Sequence, residues 1–363
     1  MNITAESIKN ILVVSMGGIG NMVMLTPAID MLSRRFTVAR IHFLLSRNGS
    51  REVIDCAPST GTVIEIEKKM LSLLRVIGTI RKLNPDIIFS ATGTNPFNCG
   101  CIGLLSGARV RAGESFGAGR FLYNVKALFS RHSHEITANV SIARLLCGGC
   151  DVPPPRVWSG VSDAGVASTF INAVTGHSAW IGMHPGSGPF MAYKRWPAER
   201  FIELGRRIKA SFPELRIILF GGAQERSLSD AAASSIGGET VSAAGRLSIC
   251  QTYEVLKKCP LLICNDSGVM HLAAAAGSQV VALFGPTREC VSGPWGSGHR
   301  IIRAGECRAC YHGRPVKCDE SISGSNLPVK CMDAISVETV HACVCEEIVK
   351  AGIVCSGSPA VNQ

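Results

Sequence analysis

The sequence predicts an α/β protein made of two Rossmann-like, doubly wound units facing each other across a cleft. Three observations carry that prediction. Short β-branched runs alternate with amphipathic stretches, a proline-rich break divides the chain, and the alternation starts again beyond it. The length of 363 residues suits two ordinary domains better than one. With 46% hydrophobic and 18% charged residues, the chain can fill well-buried cores and is not composed like a disordered one.

In the first half the strand-like runs fall at 11–15, 41–45, 63–66 and 87–90, with helical patterns at 27–36 and 70–83. Asn84-Pro85 ends the second of these helices, because proline cannot continue a helix and biases its predecessor away from helical dihedrals. Asp151-Val152-Pro153-Pro154-Pro155 is a stiff, extended break. It places a boundary near 155–177 and the domains at 1–160 and 161–363. The second series opens with a strand at 179–183 and continues with strands at 216–220, 261–264 and 279–284. Helices are expected between them at about 197–211, 225–236 and 250–258.

The net charge of +10 is unevenly placed: residues 1–160 hold 18 Lys and Arg against 10 Asp and Glu, and residues 161–363 hold 19 against 17. The first half is therefore the basic one, suited to an anionic acceptor or a membrane surface. No long Lys/Arg run or aromatic-interleaved basic patch is present, which excludes nucleic acid as the expected partner. The start, MNITAESIKN, has no basic stretch followed by an apolar one, and no segment reaches about 18 apolar residues. A cytoplasmic protein is expected. Its 16 cysteines then read as reduced thiols. Cys307, Cys310, Cys318 and Cys331 have a C-x₂-C-x₇-C-x₁₂-C spacing that leaves open a structural zinc site, a disulfide or unligated thiols.

Three loops at strand ends carry the candidate chemistry. The first, Met16-Gly17-Gly18-Ile19-Gly20-Asn21, precedes a helix expected to start at Thr26-Pro27, with threonine as cap and proline at the first helical position. Gly18 and Gly20 let the backbone approach a ligand, but the spacing fits neither a dinucleotide fingerprint nor a P-loop. Asn21 either faces that ligand or caps the turn. The second, His184-Pro185-Gly186-Ser187-Gly188-Pro189, leads to Tyr193-Lys194-Arg195-Trp196-Pro197, where Lys194 sits just before a helix and can reach an anionic leaving group. Trp196 reads as a core anchor. The third, Cys264-Asn265-Asp266-Ser267-Gly268-Val269-Met270-His271, is a strand end running into an alanine-rich helix. A phosphate placed before that helix would meet free N–H groups and the positive end of the dipole, while Asp266 suits sugar hydroxyls. Phe220-Gly221-Gly222-Ala223-Gln224-Glu225 and Gly245-Arg246-Leu247-Ser248 are further walls or ordinary loops.

Together these segments resemble glycosyltransferase family 9, the ADP-heptose:lipopolysaccharide heptosyltransferases. The matching text is ILVVSMGGIGNMVMLTPAIDML, HPGSGPFMAYKRWPAERF, FGGAQE, GRLS and NDSGVMHLAAAAGSQVVALFGPT. The resemblance implies a GT-B fold, with an acceptor-side first domain and a nucleotide-sugar-binding second domain that carries the Cys-rich loop and a terminal helix. It also implies an inverting transfer of heptose from ADP-heptose to a lipopolysaccharide core or related glycan, with no required cofactor. The partners implied are a nucleotide-sugar donor and an anionic lipid or oligosaccharide acceptor, with peripheral contact at the inner membrane. Donor contacts carry over to Ser187, Lys194, Glu225, Leu247, Asp266, Ser267, Gly268 and His271. Lys194 and the helix beginning near Ser267 are expected to stabilise the departing diphosphate. The family's general base is an aspartate directly after the first-loop glycine, where this chain has Asn21. An amide cannot accept the proton as a carboxylate does. The expectation is that proton removal is limited at Asn21, with Glu114 and Asp30 as first-domain carboxylates to examine. Two alternatives stand beside the enzyme reading: a nucleotide-sugar-binding protein, and a GT-B transferase using another sugar.

Overall fold

Unbroken Val, Ile and Leu runs form strands buried on both faces, which is what parallel sheets require. The computed structural model describes residues 4–67, 70–149, 151–176, 178–188, 191–304, 309–310 and 330–353. The chain divides into two compact units, Met1–Trp158 and Ser159–Gln363.

The first unit runs β1 (Asn10–Ser15), α1 (Ile19–Arg35), β2 (Arg40–Ser46), β3 (Thr60–Ile66), α2 (Met70–Leu83) and β4 (Ile87–Ser90). It continues with α3 (Pro96–Ser106), β5 (Val110–Glu114), β6 (Val125–Ala127) and α4 (Glu135–Cys147). The second unit runs α5 (Val161–Thr175), β7 (Trp180–His184), α6 (Ala198–Ser211), β8 (Arg216–Leu219), α7 (Arg226–Ile236), β9 (Thr240–Ser242) and α8 (Ile249–Leu256). Then come β10 (Leu261–Asn265), α9 (Gly268–Ala276), β11 (Gln279–Phe284), α10 (Glu289–Ser292), β12 (Arg300–Arg303), α11 (Lys330–Asp333) and α12 (Val337–Lys350). Among the described residues no helix is long and apolar enough to cross a membrane.

Each unit holds a six-stranded sheet, ordered β3-β2-β1-β4-β5-β6 in the first and β12-β11-β10-β7-β8-β9 in the second. Counted from its own first strand, each has the doubly wound order in which direction reverses between the first and fourth strands. All the strand pairs are parallel, including β1 with β4 and β7 with β10 at the two reversals. The second core packs Ile181, Met183, Phe201, Leu204 and Ile217 around Trp196, which is 1% exposed. Its indole N–H donates to the Ile335 carbonyl at 2.9 Å.

The expected helix start, with Thr26 as cap and Pro27 as first residue, is corrected: α1 begins well before it, at Ile19, with Gly18 as cap, and Pro27 lies inside it. A proline at that position leaves the Val23 carbonyl without its usual N–H partner. The Thr26 hydroxyl supplies the missing donor, 2.7 Å from that carbonyl. The same hydroxyl accepts the Arg156 N–H at 3.0 Å. Thr26 is thus a repair inside the helix and not its cap. Four strands were not expected from the pattern. They are β5, whose run is interrupted by Arg111, β6 and β9, of three residues each, and β12, which has no fully buried residue.

Candidate functional site

At the second reversal, β7 and β10 lie side by side and their following loops emerge together at the carboxyl edge of the sheet. Asn265, fully buried at the end of β10, fastens them. Its Nδ2 donates to the Pro185 and Gly186 carbonyls, both at 3.0 Å, and its Oδ1 accepts the Trp196 N–H at 3.0 Å. This places the short turn Ala192–Lys194 over Asp266. The Lys194 ammonium lies 2.7 Å from Asp266 Oδ2, and the Thr287 hydroxyl from the loop after β11 donates to the same oxygen at 2.7 Å. The Lys194 side chain is 16% exposed and that of Asp266 4%. One lysine N–H is spent on Asp266; the ammonium has two more.

Ser267 caps α9, its hydroxyl accepting the Met270 N–H at 3.4 Å. The first turn of α9 therefore presents its remaining N–H groups and the positive end of its dipole beside Lys194 and Asp266. His271 is buried one turn further along. An ammonium and a helix N-terminus converging here suit a diphosphate.

Glu225 organises the other side of this edge. Burial raises its carboxyl, but the His184 ring, the Gly188 and Gly222 N–H groups and Arg195 more than reverse this, leaving it below its ordinary value of 4.5. Its oxygens accept Gly188 N–H at 2.8 Å and Gly222 N–H at 3.0 Å. Gly186 packs so closely that a Cβ there would lie 2.0 Å from Glu225 Oε1. The Leu247 loop joins this framework through the Gly245 N–H, which donates to the Gly221 carbonyl at 3.0 Å. Gly245 has φ +65°, and a Cβ there would meet the Ala223 backbone at 2.7 Å, so both dihedral and space call for glycine. Ser187 donates to the Met191 carbonyl at 2.7 Å and accepts from Arg195 Nε at 3.2 Å.

At the first reversal, Met16–Gly18 follow β1 and Ala91–Asn95 follow β4. Gly18 caps α1 with Asn21 at its third position, whose side-chain oxygen accepts the Gly18 N–H at 3.1 Å. The amide nitrogen points the other way and donates to Glu135 Oε2 at 2.7 Å, at the first residue of α4. Gly93, at φ +74°, makes room beside both: a Cβ would lie 3.3 Å from the Asn21 nitrogen and 3.7 Å from Glu135 Oε1. A carboxylate therefore stands one hydrogen bond from Asn21. Asp30 is elsewhere on α1, paired with Arg34 at 2.9 Å and Arg156 at 3.5 Å. Glu114 ends β5, and burial raises its carboxyl against the opposing charge of Arg131.

The family model described as glycosyltransferase family 9 (heptosyltransferase) matches residues 76–318. The chain belongs to glycosyltransferase family 9. It is 28% identical over 160 residues to lipopolysaccharide heptosyltransferase 2 of Escherichia coli, a match covering 42% of this chain and 45% of that protein. The figure is also 28% over 162 residues for lipooligosaccharide heptosyltransferase 2 of Haemophilus influenzae, covering 42% and 46%. The chain thus spans about half the length of the curated relatives it matches. The solved structure of Escherichia coli ADP-heptose lipopolysaccharide heptosyltransferase II superposes with a TM-score of 0.72 at 18% identity, over 94% of this chain and 99% of that one. A family 9 glycosyl transferase from Veillonella parvula gives 0.74 at 19% identity, over 96% and 99%. These likenesses establish the GT-B fold.

On this family 9 chain the carboxyl edge of the second sheet brings together Ser187, Lys194, Glu225, Asp266, Ser267 and Gly268, with Leu247 on the adjoining loop. Gly18 and Asn21 belong to the first unit, as does Gly20 in the first turn of α1. Four residues join them that sequence reasoning did not single out. Asn265, Arg195 and Thr287 stand inside quoted motifs and were legible in principle. Glu135 stands in SHEITANV, which carries no pattern. Of the four cysteines considered for zinc, Cys307 and Cys318 lie outside the described residues; Cys310 is exposed and Cys331 is buried against Gly285.

Proposed function

We propose that this chain is an inverting glycosyltransferase that moves a heptose from ADP-heptose to a lipopolysaccharide core or related glycan. The observation that carries the reading is Lys194, 2.7 Å from Asp266 and beside the first turn of α9, at the strand reversal of the second sheet. That arrangement suits a nucleotide diphosphate, with Asp266 available to sugar hydroxyls. The second unit is the donor side, where Ser187, Leu247, Gly268 and His271 complete the binding surface. Glu225 acts there mainly by fixing the loops after β7 and β8.

The reaction is a single displacement. An acceptor oxygen attacks the anomeric carbon, the bond from that carbon to the diphosphate oxygen breaks, and ADP leaves with the electron pair. Lys194 and the N–H groups of α9 meet the charge that develops on the leaving group. Within the first unit, the group suited to take a proton from an acceptor hydroxyl is Glu135, which Asn21 orients through its amide. The 2.7 Å contact between those two side chains supports this assignment. Asn21 is then a positioning residue and Glu135 the base.

A second reading, a nucleotide-sugar binder without turnover, is favoured by the amide at position 21. The test is release of ADP from a panel of nucleotide sugars with lipopolysaccharide-core and oligosaccharide acceptors. Acceptor-dependent release from ADP-heptose is expected. Saturable binding with no release for any pair would sink the transferase reading.

A further inference from the structure

A surface helix of a water-soluble unit normally turns charged residues outward. Helix α3, PFNCGCIGLLS, contains none. Its inner face buries Cys99, Ile102 and Ser106, while Phe97 is 50% exposed, Leu104 56% and Leu105 41%. Phe97 and Leu104 are seven positions apart, two turns along one side of the helix.

The neighbouring turn Ala118–Phe121 extends this apolar surface. It is seated against the start of α3 by small residues: a Cβ on Gly119 would lie 2.6 Å from the Pro96 carbonyl carbon, and one on Gly100 would lie 2.6 Å from Leu122 Cβ. The Tyr123 hydroxyl donates to the Pro96 carbonyl at 2.6 Å. Phe121, next along from this contact, is 76% exposed. Two phenyl rings at one end and two leucines at the other form a patch that water solvates poorly.

Cations stand at both ends. The Arg120 guanidinium lies over the Phe121 ring, 4.6 Å from its centroid. Arg81 Nε donates to the Leu105 carbonyl at 2.8 Å, and Arg109, three residues past the helix, is 67% exposed. Arg109 pairs with Asp86 at 4.0 Å. The unit as a whole carries 18 Lys and Arg against 10 Asp and Glu up to residue 160.

We propose that the outer face of α3, with Phe121, docks on an anionic lipid bilayer. The phenyl and leucyl side chains enter the boundary between headgroups and acyl chains, and Arg81, Arg109 and Arg120 stay level with the lipid phosphates. Charge complementarity selects this occupant: the arginines around the apolar side chains and the basic balance of the unit match the phosphates of an anionic lipid surface. The inference deepens the proposed function, in which a lipid-borne acceptor is glycosylated, but its readout requires no turnover, so either can fail alone.

The experiment is co-sedimentation with vesicles of phosphatidylethanolamine and phosphatidylglycerol, and with vesicles of phosphatidylcholine alone. The full chain should sediment with the anionic vesicles, less so at high salt, and roughly tenfold less with the neutral ones. The variants Phe97→Ser with Phe121→Ser, and Leu104→Gln with Leu105→Gln, change exposed side chains and should each lower binding by about tenfold. A Phe121→Trp variant should blue-shift its emission on anionic vesicles, which reports insertion. The proposal is overturned if the full chain stays in solution with anionic vesicles, or if the apolar variants bind as well as the unsubstituted chain. Self-association that these variants abolish, without vesicle binding, would assign the face to a second copy instead.

Discussion

Asn21 shows how a single side chain changes meaning once its partner is known. From sequence alone its amide reads as a lost base, and restoring aspartate should raise the rate. With Glu135 at 2.7 Å the expectation reverses, because two facing carboxylates hold one proton between them. Asn21→Asp should therefore lower turnover at neutral pH and move the pH profile upward. Glu135→Gln should reduce kcat by about 10²–10⁴-fold with donor affinity unchanged. A Glu135→Gln enzyme of normal kcat in steady-state assays would remove Glu135 from the mechanism. Nothing in the sequence pointed to this pair, which spans 114 positions and joins a motif to an unmarked helix start. The Lys194–Asp266 pair, by contrast, joins two quoted motifs. Lys194→Met should cost about 3–5 kcal/mol, since it leaves the Asp266 carboxylate buried without its cation. Adding Asp266→Asn should recover most of that stability in urea denaturation. The rate should stay about 10²-fold or more below normal, which separates the role in folding from the role on the leaving group.

At the scale of elements, α1 and the loops of the second sheet were read with different success. Thr-Pro has the form of a helix start, and only the tertiary fold reveals a proline carried inside α1 with a hydroxyl mending the ladder. Thr26→Val keeps the shape but strands the Val23 carbonyl and the Arg156 N–H. It should destabilise by about 1–3 kcal/mol in urea denaturation. The central strands were legible because burial on both faces leaves a continuous apolar run. β6 and β9 were not, since three residues at a sheet edge leave too short a signal. Glu225 predicts a pH dependence. Its folded value lies below the ordinary 4.5, so its contribution to stability is present above about pH 4.5 and is lost as the pH falls through the folded value. Glu225→Gln should thus be less stable than the unsubstituted chain at neutral pH. The gap should narrow on acidification below about pH 4.5, and a gap independent of pH would show that the carboxylate charge is not what holds the loops.

For the whole molecule, the repeated alternation of strand and helix was enough to foresee two Rossmann-like units, and both sheets share one doubly wound strand order. The same order has a kinetic consequence. In the first sheet the pairing of Ile11 with Ile87 closes a longer stretch of chain than any other strand pair, and in the second the pairing of Gly182 with Leu262 does so. Loop closure makes such contacts the costliest to form early. They are also the contacts that create each strand reversal, where Lys194 meets Asp266 and Asn21 meets Glu135. A chain leaving the ribosome can accumulate most of either sheet's neighbouring pairs before it owns a ligand site, so competence to bind arrives at the end of folding and marks its completion.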